Sequence, residues 1–169
     1  MTRSDMLSLL AYMDWSRERM FAALTPVSPE EYQRSLGGSF ETLHATLVHM
    51  YGAERVWLAR LRGERGVGRP EAAAVAAPQD LMAAWRETGR GLHAWLAGQP
   101  DGELPVLAYT SLDGTAYRGA AADLLQHVAN HQTFHRGQVM HMLRQLGHPA
   151  PATDLVMFQR EQGAAQAGR

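Results

Sequence analysis

Four long stretches of this chain run without an internal proline, are rich in Leu, Met and Ala, and end at proline or glycine. Strands rarely exceed about ten residues, so stretches of this length can only be helices. The first spans roughly Ser4 to Leu24 and stops at Pro26. The second runs from Phe40 to about Leu61, with Ser39 as its expected cap. The third spans about Pro78 to Leu96, ahead of Gly98 and Pro100, and the fourth runs from near Ala120 to Leu146, ahead of Gly147 and Pro149.

The remainder is punctuation and two small elements. Ser28-Pro29-Glu30-Glu31 is a capping box with proline at the first helical position, and it predicts a short helix that dies near Gly37-Gly38. Arg62 to Ala77, rich in Gly, Ala and Arg, reads as a connecting loop. Leu104 to Thr110, then Asp113-Gly114, then Thr115 to Tyr117 has the pattern of two short strands around a turn. A last helix is expected from about Thr153 to Glu161. The expected fold is all-α: a four-helix bundle with a minor β-hairpin before the last long helix. The domain is expected to cover residues 1–163, and residues 164–169 read as a disordered tail.

Composition removes several function classes. The formal net charge is −1, which leaves no basic footprint for nucleic acid. Every basic residue is arginine, so lysine Schiff-base chemistry and a phosphate-loop lysine are excluded. There is no cysteine, hence no disulfide, no thiolate ligand and no cysteine nucleophile. No apolar run approaches the roughly 18 residues of a membrane span, and the N-terminus lacks a secretory pattern. The expected location is the cytoplasm, and any metal must be held by nitrogen and oxygen.

The chemistry concentrates in the fourth helix. His127-Val-Ala-Asn-His131-Gln-Thr-Phe-His135 carries three of the eight histidines at spacing four. Chance alone gives about 0.4 such pairs in a chain of this composition, so position on the helix has to decide. At about 100° per residue, His131 and His135 lie within the arc of Leu124, Val128, Val139, Met142 and Leu146, the face turned toward the core. His127 falls on the rim of that arc, and His141 lies beside Asp123 and Asn130. A single inward histidine is most simply a hydrogen-bonded core residue. Two together each need a polar partner and each resist charge, and one divalent cation meets both needs.

A third ligand has to come from another helix. His44 and His49 on the second helix stand about 140° apart and cannot share a site. His44 keeps company with Glu41, Arg55 and Arg62, a solvated face. His49 is flanked by Thr42, Ala45, Thr46, Ala53 and Val56, small residues that leave room for a cavity, and it is the better candidate. His93 and His148 read as surface or loop residues. Tyr12, Trp15 and Trp57 read as core or pocket wall. There is no HExxH, GxSxG, phosphate loop or dinucleotide fingerprint.

At these residues the chain resembles the DinB/YfiT-like family of bacterial metal-binding four-helix bundles. The resemblance runs through Tyr12-Met-Asp-Trp15-Ser-Arg-Glu-Arg19, Leu47-Val-His49 and Ala53-Glu-Arg-Val-Trp57-Leu-Ala-Arg-Leu61. It is strongest at Asn130-His131-Gln-Thr-Phe-His135-Arg-Gly-Gln138, and it closes on Gln145-Leu-Gly147-His with Thr153-Asp154. The resemblance implies His49, His131 and His135 as metal ligands and a homodimer packed through helices. Its relatives include S-transferases that use a low-molecular-weight thiol, a thiol-dependent maleylpyruvate isomerase, and hydrolases.

Three imidazoles leave an ion with open positions, the catalytic rather than the structural pattern, and zinc, nickel and iron(II) all accept that donor set. The function expected from the sequence is a metal-dependent enzyme. The ion would lower the pKa of a small thiol (S-transferase type) or of water (hydrolase type). With no cysteine present, a sulfur nucleophile has to arrive as a cosubstrate. Asn130 and Gln138 are candidate neighbours of the ligands. The rival is a stress-associated bundle protein that binds metal without turnover.

Overall fold

The computed structural model describes residues 1–167, and it begins with a cap that the sequence reading overlooked. Thr2 accepts from the Asp5 amide at 3.2 Å while Asp5 accepts from the Thr2 amide at 2.7 Å. This capping box satisfies two of the first-turn donors and starts α1 (Arg3–Leu24). The expected second box is also present: Ser28 and Glu31 cap α2 (Pro29–Gln33), which is shorter than its glycine stop implied. Gly37 and Gly38 both take positive φ, +78° and +94°, and turn the chain back so that the Leu36 amide donates to Glu41 O at 2.7 Å. As a result the next helix starts late. Thr42, not Ser39, is its cap, accepting from the Ala45 amide at 3.0 Å, and α3 spans Leu43–Leu61.

The connecting loop contains one 3₁₀ turn, Ala72–Val75, before α4 (Pro78–Ala97). The hairpin forms as expected, from β1 (Val106–Thr110) and β2 (Ala116–Ala120) in antiparallel register, with Tyr109 opposite Tyr117. Strand β2 runs straight into α5 (Ala121–Gln145) with no loop between them. The final helix, α6, spans Leu155–Ala167 and so continues past Glu161 through the first residues read as tail, while Gly168 and Arg169 lie outside the described residues. Among the described residues no helix is long and apolar enough to cross a membrane.

The four long helices, α1, α3, α4 and α5, pack around two apolar clusters. One cluster gathers Met20, Phe21, Leu43, Leu47, Met50, Leu81, Trp85, Val139 and Leu143. The other gathers Met6, Leu10, Met13, Leu58, Leu92, Leu96, Leu125 and Val128. A fully buried leucine such as Leu125 or Leu143 removes enough apolar surface from water to contribute roughly 1.5–3 kcal/mol. The mainly α fold with a small two-stranded sheet is therefore the one the sequence predicts.

Between the apolar halves lies a layer of buried charge. Arg17 Nη1 on α1 donates to Glu54 Oε1 on α3 at 3.0 Å, and Trp85 Nε1 on α4 donates to Glu54 Oε2 at 2.8 Å. Arg17 also pairs with Asp14, whose other oxygen takes a 2.7 Å bond from His93 Nε2. A Cβ at Gly89 would run into the Arg17 guanidinium, so glycine there makes room for the ion pair. Burial pushes the Glu54 carboxyl upward, with Arg17 opposing it.

Three histidines read as solvated or incidental are engaged in packing. His44 is buried, not on a solvated face: its Nδ1 meets Gln33 Nε2 at 3.1 Å and its Nε2 meets Val75 O at 3.3 Å. The cover comes from α2 and the 3₁₀ turn, segments whose placement the periodicity of α3 does not encode. His93 is half-buried against Asp14, and His148 Nε2 lies 3.2 Å from Glu31.

Candidate metal centre

Helices α3 and α5 pack closely along their length, and this contact brings His49 up against His131 and His135. His49 Nε2 lies 3.0 Å from His131 Nε2 and 3.1 Å from His135 Nε2. One nitrogen from each of the three rings lies within 4.8 Å of those of the other two. Neighbouring ligand nitrogens about 2.0–2.1 Å from one ion are separated by roughly 3 Å, so the spacing fits a shared divalent cation. His135 is buried, while His49 and His131 are half-buried with one edge reachable from outside.

The tautomer of one ring follows from its neighbour. His135 Nδ1 lies 2.7 Å from Gln138 Oε1, which can only accept. Nδ1 therefore carries the proton and donates, and the Nε2 lone pair is left facing the other two nitrogens. An amide oxygen that fixes ring and tautomer in this way is the usual support for a metal-ligating histidine. Gln138 sits one turn along α5 from His135, so its spacing alone made it a candidate. Asn130 is exposed, and its side chain makes no hydrogen bond among the described residues.

Three imidazoles cannot satisfy one another. Each offers one lone pair to the shared point, and a proton placed on His49 Nε2 can serve only one of its two neighbours at full strength. The Nδ1 atoms of His49 and His131 are buried without a partner. Protonating the cluster is disfavoured as well. Burial first, then the charge of His135 and of Arg69, holds His49 and His131 down at about 4, below the ordinary 6.5. A neutral set of nitrogen donors that resists protons and lacks internal donors fits a bound cation.

The walls are aromatic. Phe40 stacks on His49 with ring centres 4.2 Å apart, and Phe134 stands edge-on to His135 at 5.0 Å. Phe40 was expected in the first turn of the second long helix. It lies instead in the irregular segment ahead of Thr42, free to fold over the site. Phe134 is largely exposed, 65%, and with Phe40, Leu36 and Met142 it lines a groove of about 340 Å³ beside Gln138. His127 is exposed at the rim, as expected, with its ring 6.2 Å from that of His131 and 5.2 Å from that of Trp57. Arg69, whose positive charge reaches two of the three rings, carried no sequence signal beyond its place in an arginine-rich loop.

With the fold and this cluster in view, three comparisons agree. The family model described as DinB family matches residues 1–167. The chain is 24% identical to Protein DinB of Bacillus subtilis (strain 168) over 160 residues, covering 89% of this chain and 91% of that protein. A crystal structure of a DinB-like protein from Bacillus cereus ATCC 10987 superposes with a TM-score of 0.64 at 19% identity, over 85% of this chain and 94% of that one. The last match bears on fold alone.

Proposed function

Because the chain belongs to the DinB family, we propose that it is a divalent-metal enzyme acting on small molecules. His49, His131 and His135 would hold zinc, nickel or iron(II). When bound, such an ion supplies a lowered pKa to a small thiol or to water, giving an S-transferase or a hydrolase. The observation that carries the reading is the His135–Gln138 hydrogen bond, which leaves the His135 Nε2 lone pair facing the shared point beside His49 and His131.

The rest of the site acts through this chain's own residues. Gln138 holds the His135 ring and its proton in place. Phe40 and Phe134 exclude water from two sides of the cluster and offer an apolar surface to an incoming electrophile. Arg69 adds positive charge near His49 and His131, which favours an anionic ligand such as a thiolate over a neutral one. The expected assembly is a cytoplasmic homodimer without nucleic-acid or membrane partners. Light scattering on the purified chain checks the dimer.

One observation favours a second reading. No carboxylate hydrogen-bonds to any of the three histidines among the described residues, so no general base stands beside the cluster. A stress-associated protein that binds metal without turnover would look the same. Screening metal-loaded protein against small thiols with electrophiles, and against simple esters, separates the two. Conjugation or hydrolysis that disappears in His131→Ala supports the enzyme, and its absence with every thiol and ester tried supports the second reading.

A further inference from the structure

A cavity larger than the groove beside Gln138 lies away from the histidines. It lies between the hairpin, the turn at 63–68 and the outer end of α3, and has a volume of about 1090 Å³. Its walls include Val56, Ala59, Leu112, Tyr109 and Tyr117, with Arg60 projecting from α3. The Arg60 guanidinium lies 4.5 Å over the Trp57 ring and 5.3 Å over that of Tyr109, which itself stacks on Tyr117 at 5.7 Å.

Four arginines stack on aromatic rings among the described residues, and comparing them isolates this one. Arg19, over Trp15, is paired with Glu161 at 3.0 Å. Arg86, over Phe21, is held by both oxygens of Glu18 at 2.8 and 2.7 Å. Arg136, over Tyr12, donates to the Tyr12 and Thr153 hydroxyls at 2.6 and 3.0 Å. Arg60 makes no ion pair and no side-chain hydrogen bond among the described residues, and burial works against its charge. The nearby acids are engaged elsewhere: Glu64 lies 3.8 Å from Arg62, and Asp113 is tied to Ser111 and the Thr115 amide in the hairpin turn.

A guanidinium laid against two aromatic rings that touch each other keeps N–H edges free for a partner, which is the geometry that receives a planar carboxylate through two bonds. Apolar and aromatic walls around a ring-stacked guanidinium, with Glu64, Arg65 and Arg118 also at the lining, describe a small-ligand site. We propose that this cleft binds a small organic anion, its carboxylate on Arg60 and its flat hydrophobic body against Tyr109 and Tyr117. The site is distinct from the histidine cluster and does not depend on a metal there.

The probes are benzoate and inorganic phosphate, titrated into the full-length chain as purified, with its metal content measured, while the Trp57 indole and Arg60 side-chain N–H resonances are followed. Benzoate is expected to shift both. Arg60→Met, which keeps much of the apolar stem, should weaken it about 10–100-fold, the size of a charge-assisted pair of bonds. Arg60→Lys, which keeps the charge without the fork, should fall between. Arg118 also lines the cleft but stacks on no ring among the described residues, so Arg118→Gln should weaken benzoate less than Arg60→Met does. Phosphate has charge but no hydrophobic body and should bind about ten-fold or more weakly than benzoate. Equal benzoate affinity in Arg60→Met, phosphate binding as tight as benzoate, or affinity that follows metal content instead of Arg60 would each overturn the proposal.

Discussion

Helix α3 carries two polar groups five residues apart, the buried Glu54 and the half-buried His49, and they are completed in opposite ways. Glu54 meets Arg17 from α1 and Trp85 from α4, so charge and lone pairs find donors inside the protein. His49 meets two more imidazoles from α5 and has no donor to share with both. The first cluster is closed and braces three helices. The second gathers acceptors around one point and is closed only by something the polypeptide does not contain. Burial alone therefore does not tell a structural polar group from a functional one; the balance of donors and acceptors does.

The comparison can be broken at its closed end first. Arg17→Met should cost about 3–5 kcal/mol in urea unfolding, because Glu54 is left as an unpaired buried charge. Changing both, Arg17→Met with Glu54→Leu, should recover most of that loss. Equal losses in the single and double variants would mean that the pair itself supplies the stability. At the open end, His131→Ala should leave the fold standing and reduce metal from about one ion per chain to little or none by elemental analysis. Metal that survives the loss of His49 but not of His44 would place the third ligand wrongly.

Smaller effects sharpen the contrast. Gln138→Leu frees the His135 ring and should weaken metal binding about 10–100-fold in competition with a chelator. An unchanged affinity would reduce Gln138 to a packing residue. A further effect is on pH. In metal-free protein His49 and His131 titrate at about 4, against 6.5 when unfolded. Between those values the unfolded chain binds more protons than the folded one. Stability is thus complete above about pH 6.5, falls as pH drops toward 4, and levels off below. A His49→Ala, His131→Ala double variant should show a shallower slope in urea midpoints across this window, and an identical slope would assign the loss to other groups.

The sequence makes the open cluster more legible than the closed one. His131 and His135 declare themselves because spacing four sets both on the apolar arc of one helix, and small residues around His49 mark a helix face that can approach another. Helical periodicity carries both signals. Arg17 and Glu54 are charged residues on separate helices, and nothing local says that they meet in the interior. His44 misleads for a related reason: its own helix presents it beside charged residues, while its cover arrives from α2 and the turn at Ala72–Val75. The position of Phe40 depends on two glycines with positive φ that delay α3, a loop property that helix patterns do not express.

The direct junction of β2 and α5 has a mechanical meaning. Ala120 ends the strand and serves as the residue ahead of the helix, and the Ala121 amide is tied to Pro105 O at 2.9 Å. A loop at that point would act as a hinge and absorb motion of the hairpin. Without one, the hairpin joins the helix bearing His131 and His135 with no hinge residue between them.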